Sequence, residues 1–127
     1  MSRSHQLGDL QLAIMRILWK DGEATVASVH EALRESRGLA LTTIATMLSK
    51  MEKKGVVKHR SEGRQYVFSA TISEEAVHKS MVSELTERLF AGSAAELVNH
   101  LLTQQSIDRD ELTRITQLIE NAEKGSQ

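Results

Sequence analysis

Hydrophobic periodicity changes once in the first seventy residues of this chain, at Gly55. Before it, apolar side chains recur at helical spacing. Leu10, Ala13, Ile14, Ile17 and Leu18 make one stripe at the 3.6-residue repeat, with Asp9 as the expected N-cap, and Leu12, Met15 and Trp19 make a second ridge nearly opposite. Asp21-Gly22 closes this helix. Thr25 caps a second helix that turns Val26, Val29 and Leu33 inward and His30, Glu31, Arg34 and Glu35 outward, until Arg37-Gly38 ends it. A third helix is predicted from Thr42 to Lys54, stopped by Gly55. After that point Val56–Arg60 and Tyr66–Ser69 are β-prone, and Ser61-Glu62-Gly63-Arg64 between them supplies turn chemistry. Three short helices followed by a β-hairpin is the element order of a winged helix-turn-helix.

From Ser73 the helical period returns. Val77, Met81, Leu85 and Leu89 recur at i+4, and Gly92 interrupts them. Ser93-Ala94-Ala95-Glu96 reads as a capping box before Leu97, Val98, Leu101 and Leu102, and Asp108 caps a last helix carrying Leu112, Ile115, Leu118 and Ile119. The expected fold is therefore mainly α with a small β-hairpin, a winged helix over 1–70 and a helical region over 71–127. Helices with one apolar face each cannot close a core within so short a segment. A second copy of the chain is the expected cover, burying Met81, Leu85, Leu89, Leu97, Leu101, Ile115 and Ile119 in a homodimer. The monomeric alternative folds the same helices back onto Trp19.

With 127 residues the chain is too short for a large catalytic fold, and with no Cys it has no disulfide, thiol nucleophile or Cys-ligated metal. His5, His30, His59, His78 and His100 lack the paired spacing of zinc sites, and no Gly-rich phosphate loop or nucleophile motif is present. The chain is expected to be no enzyme and to need no metal or cofactor. Arg16 and Lys20 interrupt the first apolar run, and no run reaches the roughly 20 residues that cross a bilayer. The expected location is the cytoplasm, without membrane insertion. With one Trp, one Tyr and two Phe, the chain has too few aromatics for the stacking platforms of single-strand binders.

Charge is divided along the chain. Residues 1–70 hold 11 basic against 7 acidic side chains, and residues 71–127 hold 5 against 10. On a helical projection of the third helix, Ile44, Met47, Leu48 and Met51 share the inward arc; Thr43, Thr46, Lys50, Lys53 and Lys54 share the outward one, with Thr42 and Ser49 at its margin and Glu52 turned away. Short hydroxyls at the leading end suit base edges in a major groove, and the lysines behind them suit phosphates. In the hairpin, Lys58 and Arg60 lie on one face and Arg64 follows Gly63 at the tip, placed for the backbone or an adjacent minor groove. Tyr66 and Phe68 are expected to pack on the domain. The expected partner is double-stranded DNA. The competing reading is a winged-helix module whose basic face docks an acidic protein and never touches DNA; a small-ligand sensor is a third.

Several segments together carry a resemblance. Leu7-Gly8-Asp9-Leu10, Met15-Arg16-Ile17-Leu18-Trp19, Thr25-Val26, His30-Glu31, Thr42-Thr43-Ile44 through Leu48, Glu52-Lys53-Lys54-Gly55-Val56-Val57 and Gly63-Arg64-Gln65-Tyr66-Val67-Phe68-Ser69-Ala70 resemble the penicillinase-repressor family of the BlaI/MecI type. The likeness spans nearly the whole chain, though toward the C-terminus it is mainly length and apolar pattern. It implies a dimeric transcriptional repressor on a palindromic operator, contacting DNA through the wing and from Thr42, Thr43, Ala45 and Thr46. Some relatives carry a long basic side chain at the position of Ala45. In one branch of the family a sensor protease cuts the repressor at an Asn-Phe pair; alignment on Leu97-Val98 places His100-Leu101 there, with Asn99 one residue early. A copper-responsive branch uses C-terminal cysteines, which this chain lacks.

Overall fold

The computed structural model describes residues 7–125. The first helix, α1 (Asp9–Asp21), begins one residue earlier than expected: Gly8, not Asp9, is the N-cap, and its N–H donates to the Gln11 side chain at 3.4 Å. Asp9 instead sits in the first turn, where its charge favours the positive end of the helix dipole. A two-residue strand, β1 (Ala24–Thr25), leads into α2 (Val26–Ala32). There Thr25 and Ser28 cap reciprocally, each side chain accepting from the other's backbone N–H, at 3.1 and 2.9 Å. The expected second helix divides at Leu33, after which a single turn, α3 (Arg34–Arg37), runs to Gly38.

Next comes α4 (Leu41–Lys54), one residue longer at its start than expected and without a side-chain cap at Ala40. It ends at Gly55, whose φ of 88° is a left-handed conformation open to glycine. The hairpin follows as β2 (Val57–Glu62) and β3 (Gln65–Ala70), paired antiparallel from Val57 opposite Ala70 to Glu62 opposite Gln65. Pairing continues through Glu62, so the loop is only Gly63-Arg64, with Gly63 at φ 63°. On its other edge β3 pairs with β1, Ala24 opposite Phe68 and Thr25 opposite Val67, giving a three-stranded sheet in the order β1-β3-β2.

These elements enclose one core. Ile14, Met15, Leu18, Val29, Ile44, Leu48, Met51, Val57 and Val77 are essentially shut off from water. Each large aliphatic side chain so buried contributes about 1.5–3 kcal/mol, whereas an exposed ion pair contributes under about 1 kcal/mol. The rotation of α4 is thus set by Ile44, Leu48 and Met51, and the outward direction of its threonines and lysines is a consequence.

Three more helices follow: α5 (Glu74–Phe90), α6 (Ala94–Gln104) and α7 (Arg109–Gly125). Ser73 Oγ accepts from Ala76 N–H, Ser93 Oγ from Glu96 N–H and Asp108 Oδ1 from Glu111 N–H, at 3.1, 3.1 and 2.8 Å. The chain forms two compact units that meet within α5, the first running to Glu84 and the second starting at Leu85. The first unit extends beyond the hairpin because Val77 is fully buried and Met81 packs against the winged core. Trp19 Nε1 also donates to the Ile72 carbonyl at 2.9 Å, tying α1 to the segment that enters α5. Among the described residues of the second unit no apolar side chain is buried, and Leu89, Leu118 and Ile119 are 63%, 58% and 50% exposed. Among the described residues no helix is long and apolar enough to cross a membrane.

Candidate nucleic-acid interface

The outward face of α4 carries the predicted side chains. Thr42, Thr43, Thr46, Lys50, Lys53 and Lys54 are exposed, and Ala45 is half-buried beside them. Ile44, Leu48 and Met51 face the core, and Met47 is half-buried, its Sδ accepting from Gln11 Nε2 at 3.4 Å. Within the described residues, Thr42, Thr43, Thr46, Lys50 and Lys53 direct no side-chain hydrogen bond or ion pair at the protein. Lys54 differs, since its Nζ donates to Gln11 Oε1 at 3.4 Å. Polar groups left without internal partners along one helix face are free to take external ones, and hydroxyls followed by ammonium groups match base edges followed by phosphates.

In the wing the basic side chains separate into two kinds. Arg64, in the two-residue loop, has no internal partner among the described residues. Arg60 is held: its guanidinium donates to Glu23 at 2.8 Å and to Glu62 at 2.6 Å. Those hydrogen bonds, the one to Glu23 first, raise its pKa further above the usual arginine range. Arg60 is therefore fully charged but locally compensated, and the sequence pattern of Lys58 and Arg60 on one face did not reveal this. Glu23 lies 37 positions away in the chain, beside the short strand β1.

The other face of the wing is joined to α4. His59 Nδ1 lies 2.7 Å from Glu52 Oε1, and the His59 ring stacks on Tyr66 at 4.0 Å between centroids. Glu52, the acid turned away from the outward face of α4, thereby steadies the wing. Phe68 is buried as expected, whereas Tyr66 covers His59 but remains half open to solvent.

Between α4 and the wing tip lies an open groove of about 410 Å³, lined by Thr25, Val26, Ala27, Leu41, Thr42, Ala45, Arg64, Gln65 and Tyr66. Three of the DNA-binding residues expected from the sequence, Thr42, Ala45 and Arg64, line it. Leu41, Val26 and Gln65 are additions, and a leucine just ahead of the threonine pair was the one local signal available.

Of the residues expected to pair two chains, Leu85, Leu89, Leu101 and Ile119 are exposed, Leu97 and Ile115 are half-buried, and Met81 belongs to the winged unit's core periphery. His100-Leu101 lies inside α6, where the His100 ring sits 5.7 Å from that of Phe90. Among the described residues no cluster of three or more His, Asp or Glu side chains is placed to hold a metal ion.

Comparison with known proteins agrees with this architecture. Residues 7–121 match the family model described as penicillinase repressor. The penicillinase repressor of Bacillus licheniformis is 26% identical over 120 residues, covering 94% of each chain. The transcriptional regulator BlaI of Mycobacterium tuberculosis is 33% identical over 116 residues, covering 90% of this chain and 84% of its own. Among solved structures, that of the DNA binding domain of the repressor BlaI superposes with a TM-score of 0.51 at 32% identity, covering 58% of this chain and 90% of that one. On the extent of the family match and on the fold, this chain belongs to the penicillinase repressor family.

Proposed function

We propose that this protein is a sequence-specific repressor of transcription that binds double-stranded DNA as a homodimer. In this reading α4 enters the major groove, Thr42, Thr43, Ala45 and Thr46 meet base edges, and Lys50, Lys53 and Lys54 meet phosphates. Arg64 reaches the backbone or minor groove from the wing tip. The observation that carries the reading is the row formed by Thr42, Thr43, Thr46, Lys50 and Lys53 on α4, whose side chains have no internal partners among the described residues, next to Arg64, which is equally unpartnered. The likeness to the solved DNA binding domain of the repressor BlaI supports it.

The homodimer is supported by the second unit, in which Leu85, Leu89, Leu101, Leu118 and Ile119 stand in water. An apolar stripe of that extent is stable when a like stripe covers it. Twofold pairing makes the operator an inverted repeat, with half-sites one helical turn of about 10–10.5 base pairs apart, or a multiple. If a regulatory protease releases the repressor at His100-Leu101, α6 must first unwind, because a protease requires an extended backbone and these residues are helical.

One experiment tests the reading. Selection of preferred duplexes from a random pool at physiological salt, followed by the mass of the complex, is expected to return an inverted repeat bound by two chains. Equal affinity for all duplexes contradicts it and leaves the acidic-protein module as the use of the basic face.

A further inference from the structure

The DNA-reading side chains do not account for the apolar floor of the groove between α4 and the wing. Leu41 is 48% exposed and Tyr66 52%, and Val26, Ala27 and Ala45 complete the floor. Thr25, Thr42, Arg64 and Gln65 supply its polar rim, and no carboxylate is among the lining residues. An occupant matching this lining is apolar toward Leu41 and Ala45 and anionic toward Arg64. Among the groups that base pairs present in the major groove, the C5-methyl of thymine is the apolar one, and each nucleotide also carries a phosphate. The groove is continuous with the proposed interface: Thr42 and Ala45 belong to both, and so does Arg64. A strand contacted by helix and wing together has to cross it.

We propose that this groove receives a thymidine nucleotide of the bound duplex, with its C5-methyl against Leu41 and Ala45 and a backbone phosphate at Arg64. The proposal rests on the DNA-binding reading and adds to it the identity of one base. Leu41 is then a specificity-determining residue although it has no hydrogen-bonding group.

The test uses the full-length protein and its selected duplex, with each thymine replaced in turn by uracil, which removes only the methyl group. At one thymine per half-site the replacement weakens binding about fourfold, the effect of one buried methyl group. Leu41→Ala abolishes that penalty, while Arg64→Ala keeps it and lowers the slope of log affinity against log salt by about one. Tolerance of uracil at every position by the unaltered protein overturns the proposal, and that measurement does not depend on the folding of any variant. A uracil penalty that persists in Leu41→Ala overturns it as well, as does a Leu41→Ala effect confined to self-association. Absence of any preferred duplex removes the DNA reading itself; selective binding without methyl sensitivity removes only this inference.

Discussion

Glu52 Oε1 and His59 Nδ1 lie 2.7 Å apart, joining the last turns of α4 to the first strand of the wing. Tyr66, on the neighbouring strand, stacks on the same imidazole. The two parts of the proposed interface are thus held together by a hydrogen bond and a ring stack within the protein.

His59→Ala is therefore expected to lower unfolding free energy by about 1–2 kcal/mol, the sum of one partly exposed pair and one ring contact. Urea denaturation followed by far-UV circular dichroism measures it. Because His59 is not placed against DNA, the salt dependence of binding should keep its slope.

Trp19→Phe keeps most of the apolar body but removes the Nε1–H donor to the Ile72 carbonyl at 2.9 Å. A loss of about 1–2 kcal/mol is expected, since the carbonyl is left partly buried without that partner. A variant as stable as the parent in urea would show that water replaces the indole at no cost.

Lys50 and Arg60 should behave differently despite equal charge. Lys50→Ala should reduce the log–log salt slope by about one, whereas Arg60→Ala should leave it nearly unchanged because Glu23 and Glu62 already occupy its guanidinium. Glu23→Gln weakens that hold and should tighten DNA binding. Titration of one duplex at several salt concentrations checks all three variants, and a large slope change for Arg60→Ala would place its guanidinium on phosphate after all.

Replacing Leu89 and Ile119 together by Glu puts charges on the exposed stripe of the second unit. The expected result is a monomer in sedimentation equilibrium and a fall in operator affinity, with the winged unit's helical signal retained. A double variant that stays dimeric would move the interface elsewhere.

The three-helix-plus-hairpin order was legible because its signals are local. Amphipathic spacing, the Thr25 cap and the Gly55 stop each act within about one helical turn. So was the outward set of α4, because Ile44, Leu48 and Met51 leave one orientation of that helix able to bury them. The strand Ala24–Thr25 was not legible: two residues carry no period, and they become a strand only by pairing with Val67 and Phe68. The extension of pairing through Glu62 was missed because turn-forming residues tolerate several local conformations, and the break at Leu33 had no local signal, since Ala32, Leu33 and Arg34 all favour helix.

Sequence alone determined which segments are helix or hairpin, which face of α4 is apolar, and that the C-terminal helices cannot satisfy their own apolar residues. Tertiary structure decided which charges are available and where apolar side chains go. It paired Arg60 with a carboxylate 37 positions away, gave Met81 to the winged core, set Glu52 against His59, and opened a groove floored by Leu41. The physical reason is range: periodicity and capping depend on neighbours a few bonds along the chain, whereas ion pairing and burial depend on distances through space that exist only once the chain has closed on itself.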